Sequence, residues 1–198
     1  MDRTLAAAAV LAISVLSVAP VSAQTPAQPS TRARVWELGG KLSLAGLGIA
    51  NNAPPDSVAR VFESARQIGT SLGVDVPPLP ERELDRAATQ SKVEGYLLAD
   101  AGARIANRLG GAYGADHAAL FEVAVKSNLL LLLYTPGSPE GVDVATVLKK
   151  RGPDAGIPEA LWQPLVAKIE ARAPFDDVKE AVTALQSGMR KHLKTGAP

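Results

Sequence analysis

Two stretches of this chain, LGGKLSLAGLGIAN at 38–51 and EGYLLADAGARIAN at 94–107, share seven identities in fourteen positions. The identities are Gly39/Gly95, Leu42/Leu98, Ala45/Ala101, Gly46/Gly102, Ile49/Ile105, Ala50/Ala106 and Asn51/Asn107. Within each stretch small residues recur at i, i+4, i+7 and i+11: Gly39, Ser43, Gly46 and Ala50, then Gly95, Ala99, Gly102 and Ala106. That spacing marks one face of an α-helix and is incompatible with the two-residue period of a strand. Each helix therefore carries a side-chain-poor groove. Gly costs about 1 kcal/mol relative to Ala inside a helix, so the repetition needs an offsetting gain. Close approach of a neighbouring helix supplies one. The expectation is that the two stretches pack groove to groove about a pseudo-two-fold axis, which gives these eight residues a structural role.

The repeat continues downstream. Ala59, Phe62, Glu63, Ala65 and Leu72 match Ala118, Phe121, Glu122, Ala124 and Leu131, and a P-x-x-P-E pattern recurs at 77–81 and 136–140. Each unit reads as a helical hairpin. The first has helices over about 35–51 and 56–72, with Asp56 and Ser57 as N-cap residues. The second opens on Ser91 and Glu94 as a capping box, closes its first helix at Gly110-Gly111, and starts its second at Asp116 as N-cap. A divergent third hairpin follows, since Ala173 to Val178 repeats the A-P-x-D-x-V of Ala53 to Val58. Its last helix shows Val178, Val182, Leu185, Met189 and Leu193 as an amphipathic stripe, and the helix before it carries Trp162, Leu165 and Ile169. Pro164 would kink that helix or mark its start. A short helix over 142–151 ends at Gly152-Pro153. No run alternates like a strand.

The expected fold class is all-α: a bundle of about six helices in three antiparallel hairpins, the first two an internal repeat. Residues 35–198 form one domain, with hairpins at about 35–80, 91–139 and 157–194. The five consecutive leucines Leu129 to Leu133 make their helix apolar all round, which places hairpin two at the centre. The alternative use of that run is to line a pocket for a lipid or another apolar ligand. Residues 1–23 read as a secretory signal peptide. Arg3 supplies its charge, Leu5 to Val18 its apolar core, and Val21-Ser22-Ala23 a small-residue cleavage site before Gln24. The apolar run is shorter than the roughly 20 residues a spanning helix needs, so no integral membrane span is expected after cleavage. Residues 24–34 are polar, contain two of the prolines, and read as a disordered lead-in. The expected location is exported, periplasmic or secreted.

Composition removes whole classes of chemistry. With no Cys and two His among 198 residues, thiolate sites, disulfides and multi-histidine metal centres are excluded. Neither a metal nor a cofactor is expected. Charge is nearly balanced, 21 Lys+Arg against 20 Asp+Glu, which gives no bulk electrostatic case for nucleic acid. Glu63 and Glu122 are the one pair of carboxylates related by the repeat, a pattern that suits acid/base work if they converge within about 10 Å. A di-iron site wants Glu-x-x-His, but Arg66 and Val125 stand three residues on. Local pairing to Arg66 or Lys126 is the simpler use of the two carboxylates. His117 follows Asp116, and histidine is the side-chain type that titrates near neutrality, yet no Ser or Asp partner motif accompanies it. His192 and the run Lys149-Lys150-Arg151 suit helix C-termini. Asn51 and Asn107 suit the left-handed conformation at a helix end.

Two functions follow. The first is a non-catalytic accessory or binding module for a protein partner or a small apolar ligand, with self-association possible through an unused groove. The alternative is an exported carboxylate enzyme built on Glu63 and Glu122. The missing catalytic constellation favours the first.

Overall fold

The computed structural model describes residues 29–79 and 86–195. The signal segment 1–23, residues 24–28 of the lead-in, the end of the first P-x-x-P-E pattern and the last three residues fall outside that range. Among the described residues the chain is helical, with no strand: α1 (Thr31–Ala50), α2 (Pro55–Ser71), α3 (Arg86–Glu94), a π-helical turn (Gly95–Asp100), α4 (Ala101–Tyr113), α5 (Ala115–Leu133), α6 (Pro139–Asp154), α7 (Glu159–Glu170) and α8 (Phe175–Thr195). Taking α3, the π turn and α4 as one interrupted run leaves seven packed helices, not six. The addition is α6, sixteen residues long where a short helix over 142–151 was expected. Ser138 starts it early by accepting from the Gly141 N–H at 3.3 Å, with Pro139 at the first helical position.

Most corrections to the boundaries concern which residue nucleates a turn. Helix α1 begins at Thr31, inside the expected lead-in, because Ser30 Oγ accepts from the Ala33 N–H at 3.2 Å. Pro54 and Pro55, not Asp56 or Ser57, open α2, their fixed φ being pre-set for a first turn. Ser91 and Glu94 lie within α3 rather than capping it. Asp116 sits in the first turn of α5, and Gly114, at φ 104°, occupies the cap. Gly110 and Gly111 do not stop α4, which runs to Tyr113. Asn107 is therefore mid-helix, and the left-handed residue after α1 is Asn52 at φ 54°, one place beyond Asn51. Pro164 lies inside α7 without ending it.

Helix α5 is the centre of the bundle. It packs on α1, α4, α6 and α8, and Leu120, Phe121, Val123, Ala124, Val125, Leu129 and Leu130 are buried along it. Burial on several sides is what the all-round apolarity of this helix requires. Leu131, Leu132 and Leu133 are half-buried against the same core. The amphipathic stripe of α8 is buried at Val178, Val182, Leu185 and Met189, with Leu193 packed at its edge. Trp162, Leu165 and Ile169 of α7 are buried as their spacing implies.

The two small-residue grooves do not pack on each other. A Cβ on Gly39 would come within 2.8 Å of Ala124 Cβ and 3.2 Å of the Phe121 carbonyl, so this part of α1 lies against α5. Ser43, next in the stripe, donates to its own Gly39 carbonyl at 2.8 Å and reaches the Val125 carbonyl of α5 at 3.4 Å. Gly46 faces Val93 and Leu97, and Ala50 is buried at the end of the helix. Gly95 meets nothing within 4 Å, whereas a Cβ on Gly102 would fall 1.7 Å from the Leu97 carbonyl oxygen. The Ala99 side chain lies outside the described residues. The physical reason for the difference is the π turn. The Ala101 N–H donates to the Tyr96 carbonyl, five residues back, and Asp100 sits at φ −104°, ψ −87°. This turn breaks the period that the second stripe requires.

Candidate functional site

The π turn projects two leucines in different directions. Leu97 is buried against Gly46. Leu98 is 38 % exposed and stands over α5. Tyr96 fixes the turn from behind, its buried hydroxyl donating to the Pro77 carbonyl at 2.6 Å. Burial pushes the Tyr96 phenol up to about 12, with Arg104 pulling it down and Asp75 adding to the rise, so the group stays a donor at any physiological pH.

Beside that turn a cleft of about 480 Å³ opens between α4 and α5, with Arg151 of α6 at its rim. Gly102, Ala103, Ala106 and Gly110 form one wall, and Ala115, Ala118, Ala119, Phe121, Glu122, Val125 and Lys126 form the floor. Small residues on both helices keep this space empty instead of filling it with side chains. A second space of about 240 Å³ continues over Leu129, Leu130 and Leu133, walled by Leu98 and by Pro139, Glu140, Asp143 and Val144. Leu98 and Lys126 line both spaces. The floor residues 115, 118/119, 122, 125/126, 129/130 and 133 recur every three or four positions, a single face of α5 about 27 Å long. The two spaces lie along this face and meet at Leu98 and Lys126; together they are called the furrow.

Four of its five charged side chains form ion pairs, and the fifth, Glu140, is exposed at the edge of the smaller space. Glu122 accepts from Arg151 Nε at 3.1 Å, and Lys126 donates to Asp143 at 2.8 Å, so two ion pairs tie α5 to α6 across the furrow. Arg151 also reaches Asp154 at 3.5 Å. Glu122 thus has Arg151 as partner rather than Lys126. Glu63 is exposed on α2, bonded to Arg66 at 3.2 Å and Gln67 at 3.4 Å, and it does not line the furrow. Asn107, expected as a cap, lines the wide end from mid-helix. Phe121, next to Glu122, is buried, while its repeat counterpart Phe62 is half-buried.

His117 belongs to a different cluster. Its ring nitrogen Nδ1 lies 3.0 Å from Asp116, its side chain is 14 % exposed, and its ring tilts against Tyr113 at 5.6 Å between centroids. Asp116 also accepts from Arg32 of α1 at 2.8 Å, and Arg32 donates to the Ala155 carbonyl at the end of α6. One guanidinium thus holds three helix ends together. Burial alone would raise the Asp116 carboxyl, but the hydrogen bond from His117, aided by the charges of His117 and Arg32, leaves it below its ordinary value. A lowered carboxyl stabilises the fold above its unfolded value of about 3.9, and that contribution is lost as pH falls through the folded value. Asp116→Asn is expected to lower the unfolding temperature at pH 7 and to converge with the parent as the pH approaches 3. At this exposure the effect at pH 7 is at most about 1 kcal/mol. Thermal melts across that range check it.

Among the described residues no group of His, Asp and Glu is placed to hold a metal ion, and no helix is long and apolar enough to cross a membrane. Comparison with family models, with curated proteins and with solved structures finds no match for this chain. Its function is therefore read from geometry.

Sequence reasoning missed Leu98, Asp143, Val144 and Arg151 as neighbours. Leu98 was legible only as a repeat position, because nothing local announces a π turn. The signal that was present is the α5 face itself, which changes from alanine to leucine along its length.

Proposed function

We propose that this chain is an exported, non-catalytic helical binding protein that takes a small apolar ligand in the furrow over α5. The observation that carries the reading is the furrow, whose wide end alone has the volume of an ordinary ligand site. Its floor is mostly apolar, with Glu122 and Lys126 among the alanines and leucines, and a few polar side chains border it, the usual composition of such sites. Export rests on the apolar segment Leu5 to Val18 and the Val21-Ser22-Ala23 site that follows it. The duplication of one helical hairpin is part of the same proposal. It accounts for both small-residue stripes: Gly39 and Ser43 of the first pack on α5, and Gly102 and Ala106 of the second line the space left open.

A neutral fluorescent probe such as N-phenyl-1-naphthylamine is expected to bind the chain with enhanced emission. Ala103 is exposed on the α4 wall of the furrow, so Ala103→Trp fills the space without disturbing the core. It is expected to weaken probe binding about tenfold or more, a loss of about 1.4 kcal/mol, with unfolding unchanged. Equal probe affinity in the variant contradicts the reading.

A further inference from the structure

The furrow changes character along its length, and that grading narrows the ligand beyond "apolar". The end at the α5 carboxyl terminus is smaller, about 240 Å³, and walled chiefly by Leu98, Leu129, Leu130, Leu133 and Val144, with Lys126, Glu140 and Asp143 at its edge. The other end is twice as large, floored by Ala115, Ala118 and Ala119 with Phe121 and Val125, and its polar side chains are Asn107, Glu122, Lys126 and Arg151. A molecule that filled both ends would be amphipathic. A purely apolar one would leave the polar edge of the wide end desolvated without a partner, which is costly. A peptide helix, about 10 Å across with its side chains, is too bulky for the leucine-walled end.

The charges decide what kind of head such a molecule carries. Lys126 is paired with Asp143 at 2.8 Å, and Arg151 with Glu122 at 3.1 Å and Asp154 at 3.5 Å. An anionic head on Arg151 would lie against the carboxylates of Glu122 and Asp154, and a cationic head would lie against Arg151 or Lys126 while competing for their carboxylates. Either sets like charges side by side in a half-enclosed site. A hydroxyl does neither. It accepts from a guanidinium N–H that the carboxylates do not use and donates to a free carboxylate lone pair, with both ion pairs intact. The Asn107 carboxamide offers a donor and an acceptor at the same edge.

We propose that the ligand is an uncharged amphipath, with one short alkyl chain between the leucines and a hydroxyl-bearing head over the alanine floor. This rests on the binding reading above and names its ligand class. The test is isothermal titration of the full chain with n-octyl β-glucoside, octanoate, octylammonium and glucose, each kept below any micelle threshold. Octyl glucoside is expected to bind at least about tenfold more tightly than octanoate or octylammonium, with glucose undetected. Leu98→Asp is expected to weaken octyl glucoside binding about tenfold at unchanged helicity, because Leu98 is partly exposed and lines both ends. If octanoate or octylammonium matches octyl glucoside, the neutral-head inference is overturned and the furrow reading stands. If none of the four binds, or if Leu98→Asp binds octyl glucoside like the parent, both are overturned.

Discussion

Replacing Gly102 by Ala is expected to destabilise the chain by about 3 kcal/mol, at the upper end of overpacking penalties. The new methyl would sit 1.7 Å from the Leu97 carbonyl oxygen and 2.6 Å from its carbon. Both atoms are backbone, so no side-chain rotation relieves the clash. The chain can escape only by resetting the π turn, and that moves Leu97 off Gly46 and Leu98 off the furrow. Gly95→Ala provides the control. Gly95 occupies the same repeat register as Gly39 yet meets nothing within 4 Å. A methyl there restricts the unfolded chain and is expected to stabilise by up to about 1 kcal/mol. Urea denaturation separates the two. Opposite signs follow if the π turn governs this segment, and equal mild effects would contradict it.

Phe121→Ala is expected to cost about 3 to 5 kcal/mol, the range for large-to-small changes at buried aromatics. Phe121 is 1 % exposed and fills the angle between α1 and the furrow. Its ring lies 3.5 Å from where a Cβ on Gly39 would be, and it forms part of the furrow floor. Its loss opens a void that α1 cannot enter, since Ala124 and the Phe121 carbonyl already limit approach at Gly39. Phe62→Ala, at the matching repeat position but half-buried, is expected to cost less than half as much. Against a total stability of about 5–15 kcal/mol, the Phe121 variant is near the edge of folding. A shifted urea midpoint with an unchanged slope is the expected signature.

These contrasts show how far the sequence carried. Helix periodicity placed the major helices, and apolarity on all sides marked α5 for burial on several faces, because such a helix has no polar side to turn to solvent. Stop and start points were less legible. Ser30, Pro54 and Ser138 nucleate turns where Val35, Asp56 and Val142 were expected to start helices, since neighbouring residues compete for the same cap. The small-residue stripes were legible as stripes, but not their partners. A helix face tells what can approach it, not what does. The π turn overrode the period of the second stripe, and that shift turned a packing groove into the wall of a cleft. Arg151 read as a helix-end charge because its tie to Glu122 spans twenty-nine residues and two helices.

The central claim is that the furrow along α5 holds a small ligand by its apolar part, and backbone amide chemical shifts test it most directly. On titration with octyl glucoside, the account predicts shifts concentrated at Leu98, Ala103, Asn107, Lys126 and Val144, absent from α2 and α8, and lost in Ala103→Trp. Shifts centred on α2 or α8, or none at saturating ligand, would contradict it.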